Sequence, residues 1–451
     1  MAFRPLRVDE LSQILAFDFK AKLTPIFQAD QLPQDPADTV LSMFSSLLTV
    51  IRDGSRIVQF AHVSVNQYLK SKRLAEAKVA ISRFHVSEKQ AHTITAQACL
   101  VLLLHFDKNI TEDVLKKFPL AEYAAKYWVD HARIEDVSSK VQDEVQDEMK
   151  RLFDPNKHHL SVWAWIYDLE SPMLRIWRSE CPGKARATPL HYAAFCGFHD
   201  IVKFLIVEHA QDLNARGFDD DETPLHVTLR RGHADIAQLL IEHGADGNAQ
   251  DNNKKTPLHL SSNGGYAEVA RILLKEGANT EARDNQGRSP LAYASLLGHV
   301  EVAWVLLEHG ADVTVQDRNK LTPLHVAQGE EVARLLLKHG ADANVLDILG
   351  RTPLHNMSFL GRVGAARLLL EYGVDANARD GDNATPLHLV SSSAYIKREG
   401  RTGVVRLLLK YGAEIQARDN KGRTPFMMAK ENETHDTMQV LLQYGAEDHR
   451  K

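Results

Sequence analysis

The chain has 451 residues, 44% of them apolar, with a net charge of −5 spread along its length; that suits about two to four folded domains and lacks the basic footprint of a nucleic-acid binder. Its three cysteines, Cys99, Cys181 and Cys196, form no C-x-x-C pair, which argues for a reducing compartment, the cytoplasm with the nucleus as second choice. Met1–Glu10 lacks a signal-peptide core, and the longest strongly apolar run, Ala98–Leu104, falls far short of the roughly 20 residues of a membrane span, so no membrane insertion is expected.

From the N-terminus, Pro5–Phe17 carries Leu6, Leu11, Ile14 and Leu15 and predicts an amphipathic helix; Asp38–Leu48 predicts a second. Leu47–Arg52 and Ser55–Ala61 then flank Asp53-Gly54, a dipeptide suited to a hairpin turn. Ser64–Lys70 begins a further helix. Helices followed by a hairpin define a small winged-helix-like domain over residues 1–75. Its candidate recognition helix, Asp38–Leu48, contains no Lys or Arg, so DNA binding is not expected of it.

Residues 76–180 read as a helical linker domain, with helices over Ala91–Phe106, Ala121–Arg133 and Val137–Phe153. In the last, Val137, Val141, Val145, Met149 and Leu152 mark one face and Asp143, Glu144, Asp147 and Glu148 another. Trp163, Trp165, Tyr167 and Trp177 follow, an aromatic group expected to pack against the first repeat.

From residue 181 the chain becomes periodic. Thr188-Pro-Leu-His191 recurs at Thr223–His226, Thr256–His259, Thr322–His325, Thr352–His355 and Thr385–His388, with degenerate copies at Ser289–Ala292 and Thr424–Met427. Successive starts differ by 35, 33, 33, 33, 30, 33 and 39 residues. Thr or Ser is placed to cap a first helix, and Pro sits where a missing N–H costs nothing. A second helix carries the Leu-Leu-Leu run. Gly244, Gly277, Gly310, Gly340, Gly373, Gly412 and Gly445 are placed to end it in the left-handed conformation. The first unit has Ala210 instead, which predicts strain there. The fifth unit is three residues short, for which a local bend is expected. The seventh has six extra around Ala394–Gly403, with Lys397, Arg398 and Arg401, for which a basic loop is expected. The eighth, with Met427, Met428 and a polar segment, reads as a cap.

A period of 33 built on T-P-L-H resembles the ankyrin family, over eight units. The resemblance implies a mainly α protein: an ankyrin-repeat α-solenoid with short β-hairpins over residues 181–451, preceded by the small winged-helix-like and helical domains. It also implies that partners meet the hairpin tips and the concave sides of the first helices. A second resemblance rests on Arg4-Pro-Leu-Arg-Val-Asp-Glu-Leu11, Phe60-Ala-His-Val-Ser-Val-Asn-Gln-Tyr-Leu69 and Leu120-Ala-Glu-Tyr-Ala-Ala-Lys-Tyr-Trp128. Over roughly residues 1–135 the chain looks like the segment that follows the nucleotide-binding module in fungal NACHT-type, NLR-like (STAND) signalling ATPases. It contains no G-x-x-x-x-G-K-[ST] phosphate loop. It therefore looks like the C-terminal part of such a receptor, truncated or separately encoded, without nucleotide switching.

No sequence constellation carries chemistry, so no enzyme activity, cofactor or metal is expected. H-E-x-x-H, G-x-S-x-G and G-x-G-x-x-G are absent. Of 22 histidines, 13 sit at repeat positions, where hydrogen bonds between loops and neighbouring units are expected. His158-His159 lacks spaced partners for zinc.

The positions mapped to the partner-binding face are Phe195 and Cys196, Arg230 and Arg231, Asn263, Leu296 and Leu297, and Phe359 and Leu360. Ile348 and Leu349 occupy a hairpin tip. The apolar members read either as an interface or as side chains over which the repeats flanking the short fifth unit close. Asp219, Asp220 and Asp221 form an acidic tip that is either solvated or steers a basic partner. The function expected is a protein–protein interaction scaffold, the recognition arm of an NLR-like system. The alternatives are a non-catalytic adaptor beside a separate nucleotide-hydrolysing partner, and a winged-helix transcriptional regulator. Stacked units must share a core, so Leu336→Ala should cost about 2–5 kcal/mol; an unchanged denaturation midpoint would contradict stacking.

Overall fold

The computed structural model describes residues 17–18, 26–27, 48–51, 57–60, 88–118, 120–133, 139–166, 185–393 and 397–447. The chain divides at residue 212 into two compact units, Met1–Asp212 and Leu213–Lys451. Two antiparallel strand pairs lie in the first: β1 (Phe17–Asp18) with β2 (Ile26–Phe27), and β3 (Leu48–Ile51) with β4 (Ile57–Phe60). The second pair sets Leu48 opposite Phe60 and Ile51 opposite Ile57, the hairpin expected around Asp53-Gly54. Phe17 and Leu48, expected to end helices, are both extended. The rest of those helices, Asp53-Gly54 and Ser64–Lys70 fall outside the described residues.

The three expected linker helices are present as α1 (Glu88–His105), α3 (Leu120–Ala132) and α4 (Ser139–Phe153), and two shorter ones, α2 (Glu112–Leu115) and α5 (His159–Ile166), accompany them. They surround an aromatic core. Trp128 and Trp163 are fully buried, with ring centroids 5.4 Å apart and edge to face. The Trp163 indole N–H donates to the Ala125 carbonyl at 2.9 Å, which gives a buried polar tip its partner. The first repeat, α6 (Pro189–Cys196) and α7 (His199–Val207), closes this core: Trp128 lies 5.2 Å from Phe198, and Trp163 lies 5.9 Å from Tyr192. Trp163 thus packs as expected, while Tyr167 and Trp177 lie outside the described residues. Ala210 is left-handed at φ 44, the strain anticipated for a residue with a Cβ.

The second unit holds seven helix pairs: α8 (Pro224–Arg231) and α9 (Ala234–Glu242), α10 (Pro257–Gly264) and α11 (Ala267–Lys275), α12 (Pro290–Leu297) and α13 (Val300–Glu308), α14 (Pro323–Val326) and α15 (Glu330–Lys338), α16 (Pro353–Phe359) and α17 (Val363–Glu371), α18 (Pro386–Ser392) and α19 (Arg398–Lys410), and α20 (Pro425–Glu431) and α21 (His435–Gln443). Each first helix has its Thr or Ser at the N-cap and Pro in the first turn. The glycines ending the second helices are left-handed, from φ 81 at Gly310 to φ 92 at Gly244.

Two devices stitch one pair to the next. The first is the motif histidine. The Thr223 amide donates to His226 Nδ1 at 3.3 Å, which leaves the proton on Nε2 to donate to the Lys255 carbonyl of the next repeat at 3.0 Å. His259 reaches Arg288 in the same way at 3.0 Å, His325 reaches Arg351 at 3.2 Å, His355 reaches Ala384 at 3.2 Å and His388 reaches Arg423 at 3.0 Å. The exception is the fourth repeat, where Ala292 stands in place of histidine, so this bridge is missing between repeats four and five. The second device is the turn aspartate. Asp317 Oδ1 accepts the Asn319 and Leu321 amides at 2.8 and 3.0 Å, and every tip from Asp251 to Asp419 repeats the pattern. The closed tips then bond to one another, as in Arg318 N–H to Gln286 O at 2.9 Å and Ile348 N–H to Asn319 O at 3.0 Å.

Two departures differ from expectation. The insertion in the seventh repeat builds no basic loop over the described residues: Arg398 opens the 13-residue helix α19. Arg401 is buried and pairs with Asp436 of the last repeat at 2.5 Å while donating to the Ser393 carbonyl at 3.0 Å. The helix-end histidines His243 and His309 do not bridge repeats; each Nδ1 meets a carbonyl four residues back, Leu239 and Val305, at 2.8 Å.

Burial is the main cause holding the five bridging histidines below their ordinary value, and the carbonyl each one reaches only partly offsets it. Protonation would also set an N–H against the Thr amide. Folded values below the ordinary ~6.5 mean that the unfolded chain binds more protons in the interval between them. Stability therefore rises with pH across it, is complete above about 6.5, and is lost as pH falls through the folded values. Thermal melts should shift down between about pH 7.5 and about pH 5, and a flat profile would show that the bridges contribute nothing.

Candidate protein-docking surface

The turn tips and the first helices they precede form one continuous face of the second unit. At the fifth repeat this face is cut short: α14 makes a single turn and stops at Ala327, with φ −53 and ψ 121. The chain then crosses directly to α15 through Gly329, at φ 105. Two polar contacts hold this crossing. The Gln328 amide donates to the Ser295 carbonyl of α12 at 2.8 Å. The Arg362 guanidinium, arriving from the sixth repeat, donates to the Val326 and Ala327 carbonyls at 2.5 and 2.7 Å. It thereby satisfies the acceptors that the missing helical turn leaves open. Burial pushes the Arg362 value down from normal, yet a guanidinium keeps its charge at any ordinary pH.

On either side of the crossing, apolar side chains remain in solvent. Leu297 at the end of α12 is 40% exposed, and Phe359 and Leu360 at the end of α16 are 42% and 43% exposed. Leu296 is half-buried. Ile348 and Leu349, on the tip preceding α16, are 56% and 53% exposed. That tip is fixed on both sides, since the Ile348 amide donates to Asn319 and the Leu349 carbonyl accepts from Gly381. The flanking repeats therefore do not bury these side chains, although their backbone is rigidly placed.

The other mapped positions separate from this patch. Phe195 is half-buried and Cys196 is buried, both in the N-terminal unit. Arg230 and Arg231 are exposed on α8. Asp220 lies 3.4 Å from the Arg230 guanidinium, which also contacts the buried Glu222 carboxylate. Asp221 lies 4.0 Å from Arg216, and the Asp219 carbonyl accepts from Asn252. The acidic tip is thus largely satisfied by its own neighbours. Outside the repeats, Cys99 is fully buried and its thiol is pushed up to about 12 by burial, which makes it a poor nucleophile. Among the described residues, no group of three or more His, Cys, Asp or Glu could hold a metal ion, and no helix is long and apolar enough to cross a membrane.

Sequence reasoning missed Arg362 and misread Arg401 as part of a basic loop, because their partners are set by a deletion and an insertion rather than by the motif. It also missed a feature of the tips. The third residue after each turn aspartate is left-handed: glycine supplies it at Gly287, Gly350 and Gly422, but Lys254 (φ 56) and Lys320 (φ 57) adopt it too.

The fold and face are those of an ankyrin array. The sequence model described as Ankyrin repeats (3 copies) matches residues 173–251, 246–317, 312–380 and 373–451, and the chain belongs to the ankyrin-repeat family. Ankyrin repeats act in protein–protein interaction. Among relatives, the Azaphilone pigments biosynthesis cluster protein L of Monascus ruber is 29% identical over 259 residues, 54% of this chain and 53% of that protein. The human Palmitoyltransferase ZDHHC13 is 42% identical over 65 residues, 14% of this chain and 10% of that protein. The chain thus spans about half the length of the first relative and far less of the second. Among solved structures, the ankyrin repeat domain of Bcl-3 covers 50% of this chain at 28% identity and a TM-score of 0.39, with all of that chain matched. The human ASB11 ankyrin repeat domain covers 51% at 26% identity and a TM-score of 0.44, again with all of that chain matched.

A left-handed residue bearing a Cβ costs about 1–2 kcal/mol relative to glycine. Lys320→Gly should therefore raise stability by about 1 kcal/mol, read as a higher denaturation midpoint; an unchanged or lower midpoint would deny that the tip is strained.

Proposed function

We propose that this chain is a protein-recognition scaffold that docks a partner segment across repeats four to six. Leu296, Leu297, Ile348, Leu349, Phe359 and Leu360 are its anchors. One observation carries the reading: large apolar side chains stand 40–56% exposed on backbone that tip-to-tip bonds, Gln328 and Arg362 hold in place. Such preorganised apolar groups lose little freedom on binding, the condition under which burial converts into affinity. Phe195, Arg230, Arg231 and the Asp219–Asp221 tip are assigned at most peripheral roles.

The wider setting proposed is an NLR-like signalling system. Support comes from the phrases at 4–11, 60–69 and 120–128, read with the expected order of winged-helix-like (1–75), helical (76–180) and repeat (181–451) parts. In that setting residues 181–451 are the partner-sensing arm. Affinity capture with the intact chain and with a Leu297→Ser/Phe359→Ser variant tests the docking site. The variant should melt like the parent, because both side chains are exposed, and should lose partner affinity at least about tenfold, roughly 1.4 kcal/mol. Equal capture by both would remove the proposed site.

A further inference from the structure

The charges along the same face are not distributed like those of the chain. Residues 252–264, 285–297, 318–329 and 348–360 comprise the tips and first helices of repeats three to six. They hold six cations, Lys254, Lys255, Arg288, Arg318, Lys320 and Arg351, and no Asp or Glu, in a protein whose net charge is −5. The carboxylates adjoining these segments are Glu330, which pairs with Arg334 at 2.5 Å, and the turn aspartates, whose Oδ1 atoms are engaged by two amides apiece. Asp251, Asp284 and Asp347 are buried, and Asp317 is half-buried. Burial acts against the Asp284 charge, but the Arg288 amide and the Tyr293 hydroxyl outweigh it and hold the carboxyl below its usual range. It stays an acceptor committed to the turn.

The cations differ in availability. Arg351 pairs with Asp380 at 3.4 Å, Arg288 lies 3.9 Å from Asp317, and the Lys255 ammonium sits 5.2 Å from the Tyr293 ring centre. Lys254, Arg318 and Lys320 are exposed and have no ion-pair partner among the described residues. Two of these three occupy the left-handed tip position that glycine fills elsewhere, so the fold keeps a cation there at a conformational cost. The flanks are mixed in charge: exposed Asp219, Asp220 and Asp221 on the tip before repeat two stand beside Arg216 and Arg230, and Asp382 is exposed on the tip before repeat seven.

We infer that the partner segment docked on this face is an acidic stretch of protein carrying bulky apolar side chains. Its carboxylates meet Lys254, Arg318 and Lys320, and its apolar groups meet Leu297, Phe359 and Leu360. The inference rests on the docking reading and gives it a partner chemistry. An eight-residue first helix spans about 12 Å, so the cationic tips and the apolar helix ends lie roughly a helix diameter apart. An amphipathic acidic segment running along the repeats can address both edges at once. Over repeats three to six no exposed Asp or Glu among residues 252–264, 285–297, 318–329 and 348–360 opposes it.

Selection of short random linear peptides on the full chain, followed by fluorescence anisotropy of the enriched sequences, tests this. The enriched peptides should be net acidic, carry at least two bulky apolar residues, and weaken as salt is raised. Arg318→Glu/Lys320→Glu should reduce their affinity at least about tenfold, with the melting curve unchanged because only exposed side chains differ. Neutral or basic peptides that lose binding to Leu297→Ser/Phe359→Ser but not to the charge-reversed variant would overturn the acidic partner while keeping the docking site. Peptides indifferent to both variants would overturn the site itself. Vesicles of phosphatidylserine and phosphatidylcholine, or single-stranded DNA, provide the remaining arms: binding to either that depends on Arg318 and Lys320 in place of peptide binding would assign the face to a membrane or a nucleic acid and overturn the inference.

Discussion

An imidazole that accepts at one nitrogen and donates at the other is the interaction on which the repeat array depends. Its Nδ1 completes the N-terminal cap of its own helix, and its Nε2 reaches a carbonyl of the following repeat. One side chain therefore joins a local decision, where a helix starts, to a non-local one, where the next pair sits. Neither pair could hide its apolar face alone. The turn aspartates do the equivalent work at the tips, closing each turn on its own amides so that the backbone groups left over can bond from tip to tip. Helix burial supplies the driving force in such an array, and these polar contacts fix its register.

That rigidity is what gives the exposed groups meaning. Scattered surface leucines are ordinary. A leucine, a phenylalanine and a tip carrying isoleucine and leucine, all anchored around a repeat trimmed to one helical turn, are a preorganised set. The same trimming explains Arg362: a helix that ends early leaves carbonyls open, and a guanidinium from the next repeat occupies them. The exposed apolar set and the open carbonyls both adjoin the three missing residues of the fifth unit. Cations kept on strained tips beside that set add a preference of charge to a preference of shape.

Much of the architecture was legible beforehand because the motif encodes its own physics. Thr, Pro, His and the helix-ending Gly each have one structural job, and a fixed period assigns that job repeatedly. Three of the linker helices, α1, α3 and α4, were legible to within a few residues from apolar spacing, whereas the short α2 and α5 were not. What escaped depends on distances across the array. Arg401 read as part of a basic loop because six inserted residues look like a loop in one dimension; in three dimensions they lengthen α19 and bury the guanidinium against Asp436. His243 and His309 read as bridges by analogy with the motif histidines, but their position at a helix end turns Nδ1 onto their own helix. The exposure of Leu297 and Phe359 was undecidable from sequence, since it depended on whether the repeats beside a deletion close together or are propped apart. The backbone strain at Lys254 and Lys320 was hidden because lysine gives no hint of its φ.

Replacement of one motif histidine by Ala292 makes the joint between repeats four and five chemically unlike its neighbours. It is short of the imidazole bridge, and the Gln328 amide on the Ser295 carbonyl crosses the joint instead. In acid the ranking changes, because every other joint in the unit contains a motif imidazole that protonation sets against its partners, whereas this one is joined by the Arg288–Asp317 pair and by Glu281, which accepts the Asp312 amide. The seam through which the candidate docking surface passes is thus the one joint of the unit without the histidine response its neighbours share.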